Sequence, residues 1–121
     1  MRVVESKDTW NGMPVIQFDF LMTKDASPEE LGCGNVRVLV SARKNCAPHI
    51  KWVWAGTKRQ GWATNAYRWL VEKFGQPLRV SDVCGEESVA FHRRMKKLGL
   101  VSKFEMDPVF KMPQRGASFR L

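Results

Sequence analysis

Ile50-Lys51-Trp52-Val53-Trp54-Ala55-Gly56-Thr57-Lys58-Arg59-Gln60-Gly61-Trp62-Ala63-Thr64 is the stretch on which the fold turns. Its first six residues are apolar and aromatic at every second position (Ile50, Trp52, Trp54), the pattern of a strand. Its middle is small, polar and cationic. From Trp62 the periodicity changes: Ala63, Ala66, Leu70 and Phe74 share one helical face, with Trp62 and Trp69 beside it. A strand that breaks into a basic turn and opens a helix directs bare amide N–H groups and a positive helix end at one spot. Such a spot attracts phosphate.

Outward from this turn, the chain alternates between the two periods. Gly75 is placed as the C-terminal cap of the first helix, and Pro77 prevents its continuation. Leu78–Val83 reads as a strand. Gly85-Glu86-Glu87-Ser88 opens a second helix with Phe91, Met95 and Leu98 as its buried stripe, closed by Gly99. Leu100–Met106 alternates as a strand, and Val109–Met112 begins a possible further one. The tail Pro113–Leu121 is a last edge strand or disordered.

Before the turn, Ile16, Phe18, Phe20 and Met22 alternate with polar neighbours. Val36, Val38, Val40 and Ala42 do the same. Met1–Glu5 reads as a short edge strand and Ser6–Met13 as turn-like, with Asn11-Gly12 its strongest signal. Within Thr23–Gly34, Ser27-Pro28-Glu29-Glu30-Leu31 has the N-cap, N1 proline and early acids of a helix of at most two turns. The order predicts an α+β fold: a mixed, mostly antiparallel central sheet with helices packed on it, in one domain over residues 1–121.

The composition, 44% hydrophobic and 26% charged, is that of a globular chain. No apolar run reaches the roughly 20 residues of a membrane span, and the N-terminus lacks a signal peptide's apolar segment. Cys33, Cys46 and Cys84 form no Cys-x-x-Cys pair; they read as reduced thiols of a cytoplasmic protein, with no metal site. The net charge is +8, and from His92 onward eight Lys and Arg face two acids, leaving +6 in that segment. A basic balance favours anionic partners: nucleic acid, a nucleotide-like cofactor or an acidic protein surface. The Arg93–Lys97 cluster and the tail lack the interleaved aromatics of a nucleic-acid motif, so that partner is not favoured.

Neither Gly-x-x-x-x-Gly-Lys-Ser/Thr nor Gly-x-Gly-x-x-Gly is present in the turn. Lys58-Arg59-Gln60-Gly61-Trp62-Ala63 instead resembles the Gln/Arg-x-x-Gly-x-Gly/Ala motif of the GNAT superfamily of acetyl-CoA-dependent N-acetyltransferases, with Lys58 in place of the usual Gln or Arg. The strand-turn-helix-strand-helix context and Leu98-Gly99-Leu100, similar to the Leu-Gly-Phe that closes the second helix in many members, extend the resemblance over about residues 50–106. It implies that acetyl-CoA is bound through its pyrophosphate by Lys58, Arg59, Gln60, Gly61, Trp62, Ala63 and Thr64. It also implies a bulged, splayed strand whose Trp52, Val53 and Trp54 backbone pairs with the pantetheine arm, with an oxyanion-polarising N–H near Val53 or Trp54.

The usual acid, a Tyr on the second helix, is missing; the matching position is His92 or Met95, so His92 is the catalytic candidate. Tyr67, the only tyrosine, lies on the first helix. Candidate bases are Asp19, Asp82 and His49, none singled out by spacing. The helical connection that walls the acceptor site in relatives is reduced here to Ser27–Gly32, which suits a protein or peptide amine. The alternative is a catalytically weak or inactive member that binds and modulates a partner protein; the superfamily includes compact members encoded by phages and mobile elements, some of which modify or block host proteins.

Overall fold

The computed structural model describes residues 1–58 and 61–110. Arg59, Gln60 and residues 111–121, including half of the expected strand at Val109–Met112 and the whole tail, lie outside the described residues. The elements run β1 (Arg2–Trp10), β2 (Met13–Leu21), β3 (Asn35–Ser41), β4 (His49–Ala55), α1 (Trp62–Phe74), β5 (Leu78–Val83), α2 (Glu86–Lys97) and β6 (Val101–Met106). The six strands form one sheet in chain order. β1 to β4 are an antiparallel meander, whereas β4–β5 and β5–β6 are parallel and each is bridged by a helix. No helix among the described residues is long and apolar enough to cross a membrane.

β1 extends to Trp10, well past the expected end at Glu5. It joins β2 through Asn11 (φ 48°) and Gly12 (φ 78°), two left-handed residues in succession, as a type I′ hairpin turn requires. Ser6–Trp10 lacks an apolar alternation because it is held by its ladder to β2, not by burial of its side chains. The Thr23–Gly34 connection contains no helix. Ser27 and Glu30 form an isolated bridge there, and the Ser27 hydroxyl pairs with the Glu29 carboxylate and accepts the Glu29 N–H. Those capping groups close a local turn instead of starting a helix.

One sheet face carries the core: Phe18 and Phe20 of β2, Val36, Val38 and Val40 of β3, and Ile50 of β4 are all buried. Ala66, Tyr67 and Leu70 of α1 and Val89 and Met95 of α2 complete it. Phe18 meets Trp69 and Phe74 edge-on, at centroid distances of 5.7 and 6.1 Å. The stripe of α2 differs from that expected. Val89, His92 and Met95 are buried, Phe91 is half-buried, and Leu98 is 50% exposed. α2 ends as expected at Gly99 (φ 77°): the Gly99 N–H donates to Lys96 O at 3.1 Å and the Leu100 N–H to Met95 O at 3.0 Å, a Schellman cap.

β4 departs from simple alternation in a way that matters for the site. Val40 faces Ile50, Leu39 faces Trp52 and Val38 faces Val53, so Lys51 is an extra residue opposite no partner of its own. This β-bulge shifts the strand by one residue. Ile50, Val53 and Ala55 therefore lie on the core face, while Trp52 and Trp54 fall on the opposite one, where Trp52 stacks with Trp10 at 6.3 Å. The expected grouping of Ile50 with Trp52 and Trp54 is thus overturned by one inserted residue.

Candidate functional site

β4 and β5 touch only at their N-terminal ends. The pairs are His49–Arg79 and Ile50–Val80, and the Arg79 N–H donates to the Pro48 carbonyl at 2.9 Å. Beyond them the strands part, and a cavity of about 250 Å³ opens between them. Lys51, Trp52 and Val53 form one wall, Ser81–Cys84 the other, and Ser88 and His92 contribute from α2. The second wall is itself irregular. β5 loses register with β6 between Val80 and Val83, and Asp82 has φ 58° there.

The backbone that β4 offers to this cleft follows from one hydrogen bond. The Gly56 N–H donates to the Asn35 carbonyl of β3 at 2.9 Å. Successive amides of a strand alternate in direction, so Trp54 and Trp52 also turn theirs to β3, while Val53 and Ala55 turn theirs into the cleft. Of the two residues expected to offer an N–H, Val53 faces the cleft and Trp54 does not.

Past β4 the chain passes through Gly56-Thr57-Lys58 and enters α1 at Gly61. A Cβ on Gly56 would lie 2.0 Å from the Gly32 carbonyl oxygen, so the turn is packed backbone to backbone against the Thr23–Gly34 connection. The Thr57 hydroxyl donates to the Cys33 carbonyl at 2.6 Å, a second tie between the same segments. Gly61, at φ 72°, is the N-cap of α1; no acid lies in the helix's first turn, and among the described residues no side chain caps it and none lies within 4 Å of where a Gly61 Cβ would stand. The first-turn residues Trp62, Ala63 and Thr64 are half-buried. α2 contrasts with this, since Glu86 and Glu87 already balance its N-terminal dipole. Lys58 pairs with Glu87 at 3.2 Å on the surface, linking the two helix starts. Arg59 and Gln60 lie outside the described residues. A second cavity, of about 380 Å³, lies between the Thr23–Asn35 segment, Thr57 and Trp62. Asp25 and Glu30 line it, which suits a cation better than a phosphate.

His92 reaches the cleft but is 1% exposed, with both ring nitrogens engaged. Its Nδ1 lies 2.8 Å from the Ser88 carbonyl, which can only accept, so the proton is on Nδ1. Nε2 then accepts the Tyr67 hydroxyl at 2.8 Å. Burial holds the His92 pKa below its ordinary value, only partly opposed by the bond to Ser88, and burial likewise pushes the Tyr67 phenol up. The catalytic candidate and the one tyrosine thus form a hydrogen-bonded pair in the core. Ser88 and His92 four residues apart on a helix were the available sign; the partner on another helix had none.

The three candidate bases separate cleanly. Asp19 is buried, with Oδ1 accepting Arg37 Nε at 2.7 Å and Oδ2 accepting Gln17 Nε2 at 2.8 Å. Arg37 also donates to the Pro28 carbonyl at 2.7 Å, so Asp19 secures the connection to the sheet. His49 sits where β4 and β5 are still paired; its Nε2 is buried with no hydrogen-bond partner among the described residues. Burial, then Lys51 and Arg79, hold its pKa down. Asp82 alone combines exposure with a place on the wall of the cleft.

Among the described residues no group of three or more His, Cys, Asp or Glu is placed to hold a metal ion, and Cys33, Cys46 and Cys84 are free and exposed. No family model, no curated protein and no solved structure matches the chain.

Proposed function

We propose that this protein is a compact GNAT-like N-acetyltransferase that binds acetyl-CoA and acetylates an amine on a protein or peptide. The observation that carries the reading is the bulged β4 parting from β5 and leading directly into an uncapped helix N-terminus. The pyrophosphate would lie at Gly61–Thr64, where the α1 dipole is not balanced by any first-turn acid. The pantetheine arm would run along the cleft edge of β4, taking hydrogen bonds from Val53 and Ala55. Val53 N–H is then the donor aimed at the thioester oxygen.

An acceptor lysine must lose a proton before it attacks, a cost of about 4.6 kcal/mol at pH 7 for an ordinary pKa near 10.4. Asp82 is assigned that proton, directly or through water. His92 is not placed to reprotonate the thiolate. Its one proton is held by the Ser88 carbonyl, and water serves a leaving group whose pKa is about 8.5.

Titration calorimetry with acetyl-CoA tests the cofactor half. Binding is expected for the wild type, about tenfold or more weaker for Gly61→Glu, and near wild type for Gly61→Ala, which adds the backbone strain without the charge. Absence of binding by the wild type overturns the reading. For the chemistry, Asp82→Asn is expected to slow CoA release with an amine acceptor by roughly 10²-fold or more at pH 7, recovering toward pH 9 as the free amine becomes abundant. Its acetyl-CoA affinity should not change.

A second reading, a GNAT-like binding protein without catalysis, is favoured by the engagement of both His92 nitrogens and of the Tyr67 hydroxyl. Acetyl-CoA binding without CoA release across a panel of amines would select it.

A further inference from the structure

We propose that two copies of this chain associate through their β1 strands, in antiparallel register centred on Ser6, to form one continuous sheet. β1 is an edge strand: β2 is its neighbour on one side, and no described strand lies on the other. It has nine residues, no proline and no register shift against β2, so its outer edge is long and regular. Proteins commonly blunt such an edge with proline, a bulge or an unpaired charge. Of these β1 has only charges.

The directions of the β1 amides follow from those of β2. The Met22 N–H donates to the Gly34 carbonyl across the β2–β3 boundary at 2.8 Å. Even-numbered residues of β2 therefore face β3, and the odd-numbered ones, Met13 to Leu21, face β1. Their partners are Arg2, Val4, Ser6, Asp8 and Trp10. The groups left pointing outward belong to Val3, Glu5, Lys7 and Thr9.

Antiparallel pairing matches outward residues with outward residues, so a two-fold axis must pass through a residue and not between two. Centred on Glu5 or on Lys7, the pairing sets two like charges directly opposite, which is destabilising. Centred on Ser6, Glu5 meets the second copy's Lys7 and Lys7 meets its Glu5, while Val3 meets Thr9 and Arg2 meets Trp10. This register also pairs the strand over its whole length, since Ser6 is its midpoint. Glu5 already holds Lys73 at 2.8 Å, and in the dimer it lies between two ammonium groups. The charges that guard the edge against other strands are the ones that admit its own copy.

Analytical ultracentrifugation over a concentration series tests this with the full chain. The wild type is expected to approach twice the 13.9 kDa chain mass as concentration rises. K7E places acids at both positions of each pair and E5K places bases; each alone is expected to weaken association about tenfold or more. Mixing K7E with E5K in equal amounts sets acid against base and restores the dimer. Circular dichroism checks that both variants are folded. A wild type that stays monomeric, a dimer indifferent to K7E, or a mixture that fails to associate each overturns the proposal.

Discussion

Tyr67 and His92 are buried together, and each is the other's answer to burial. A histidine 1% exposed is tolerated only if both nitrogens are satisfied. Ser88 supplies an acceptor from one turn away on the same helix, and Tyr67 supplies a donor from the other helix. Tyr67→Phe removes that donor without changing the ring that packs edge-on to Phe91 at 5.3 Å. The buried Nε2 lone pair is then stranded, and the expected loss is about 1–3 kcal/mol by urea unfolding. A loss below a few tenths would mean that the bond contributes little.

At the scale of elements, the turn between β4 and α1 is shaped by its contact with the Thr23–Gly34 connection. Gly56 touches Gly32 and Cys33 through backbone alone, and Thr57 adds a hydrogen bond to the same place. Gly56→Ala must push the two segments apart. It is expected to cost about 1–3 kcal/mol in thermal unfolding and to loosen the start of α1. Amide exchange at Asn65, whose N–H donates to the Gly61 carbonyl at 3.0 Å, reads that loosening directly. Gly75 marks the other end of α1, where its N–H donates to the Val71 carbonyl at 2.8 Å with φ 70°. The helix is thus bounded by two left-handed glycines, the first of which leaves the N-terminus open while the second closes the C-terminus.

For the whole molecule, the two histidines set how stability responds to acid. Burial holds both His49 and His92 below the ordinary histidine pKa of about 6.5. Below about pH 6.5 the unfolded chain binds protons that the folded chain refuses, so stability falls as pH drops and is level above it. The midpoint of thermal unfolding is expected to decrease from pH 7 to pH 5. In His92→Gln the same interval should show a shallower slope, even though the variant starts from a lower midpoint. A steeper slope in that variant would contradict the buried neutral imidazole.

The amino-acid sequence alone determined the element order from β2 to β6, the Asn11-Gly12 turn, the glycine ends of both helices and the cationic turn after β4. These are legible because periodicity and turn chemistry act over a few neighbouring residues. It did not determine that β1 runs to Trp10, that Ser27–Leu31 stays non-helical, or that Lys51 is a bulge sending Trp52 and Trp54 away from the core. Nor did it show that Asp19 is buried against Arg37 while Asp82 lies exposed on the cleft wall, or that Tyr67 binds His92. Each of those depends on a partner distant in the chain: a ladder, an opposing strand or a side chain on another helix. Local pattern sets which elements form. Only tertiary packing decides which groups are buried against one another and which are left facing the cleft.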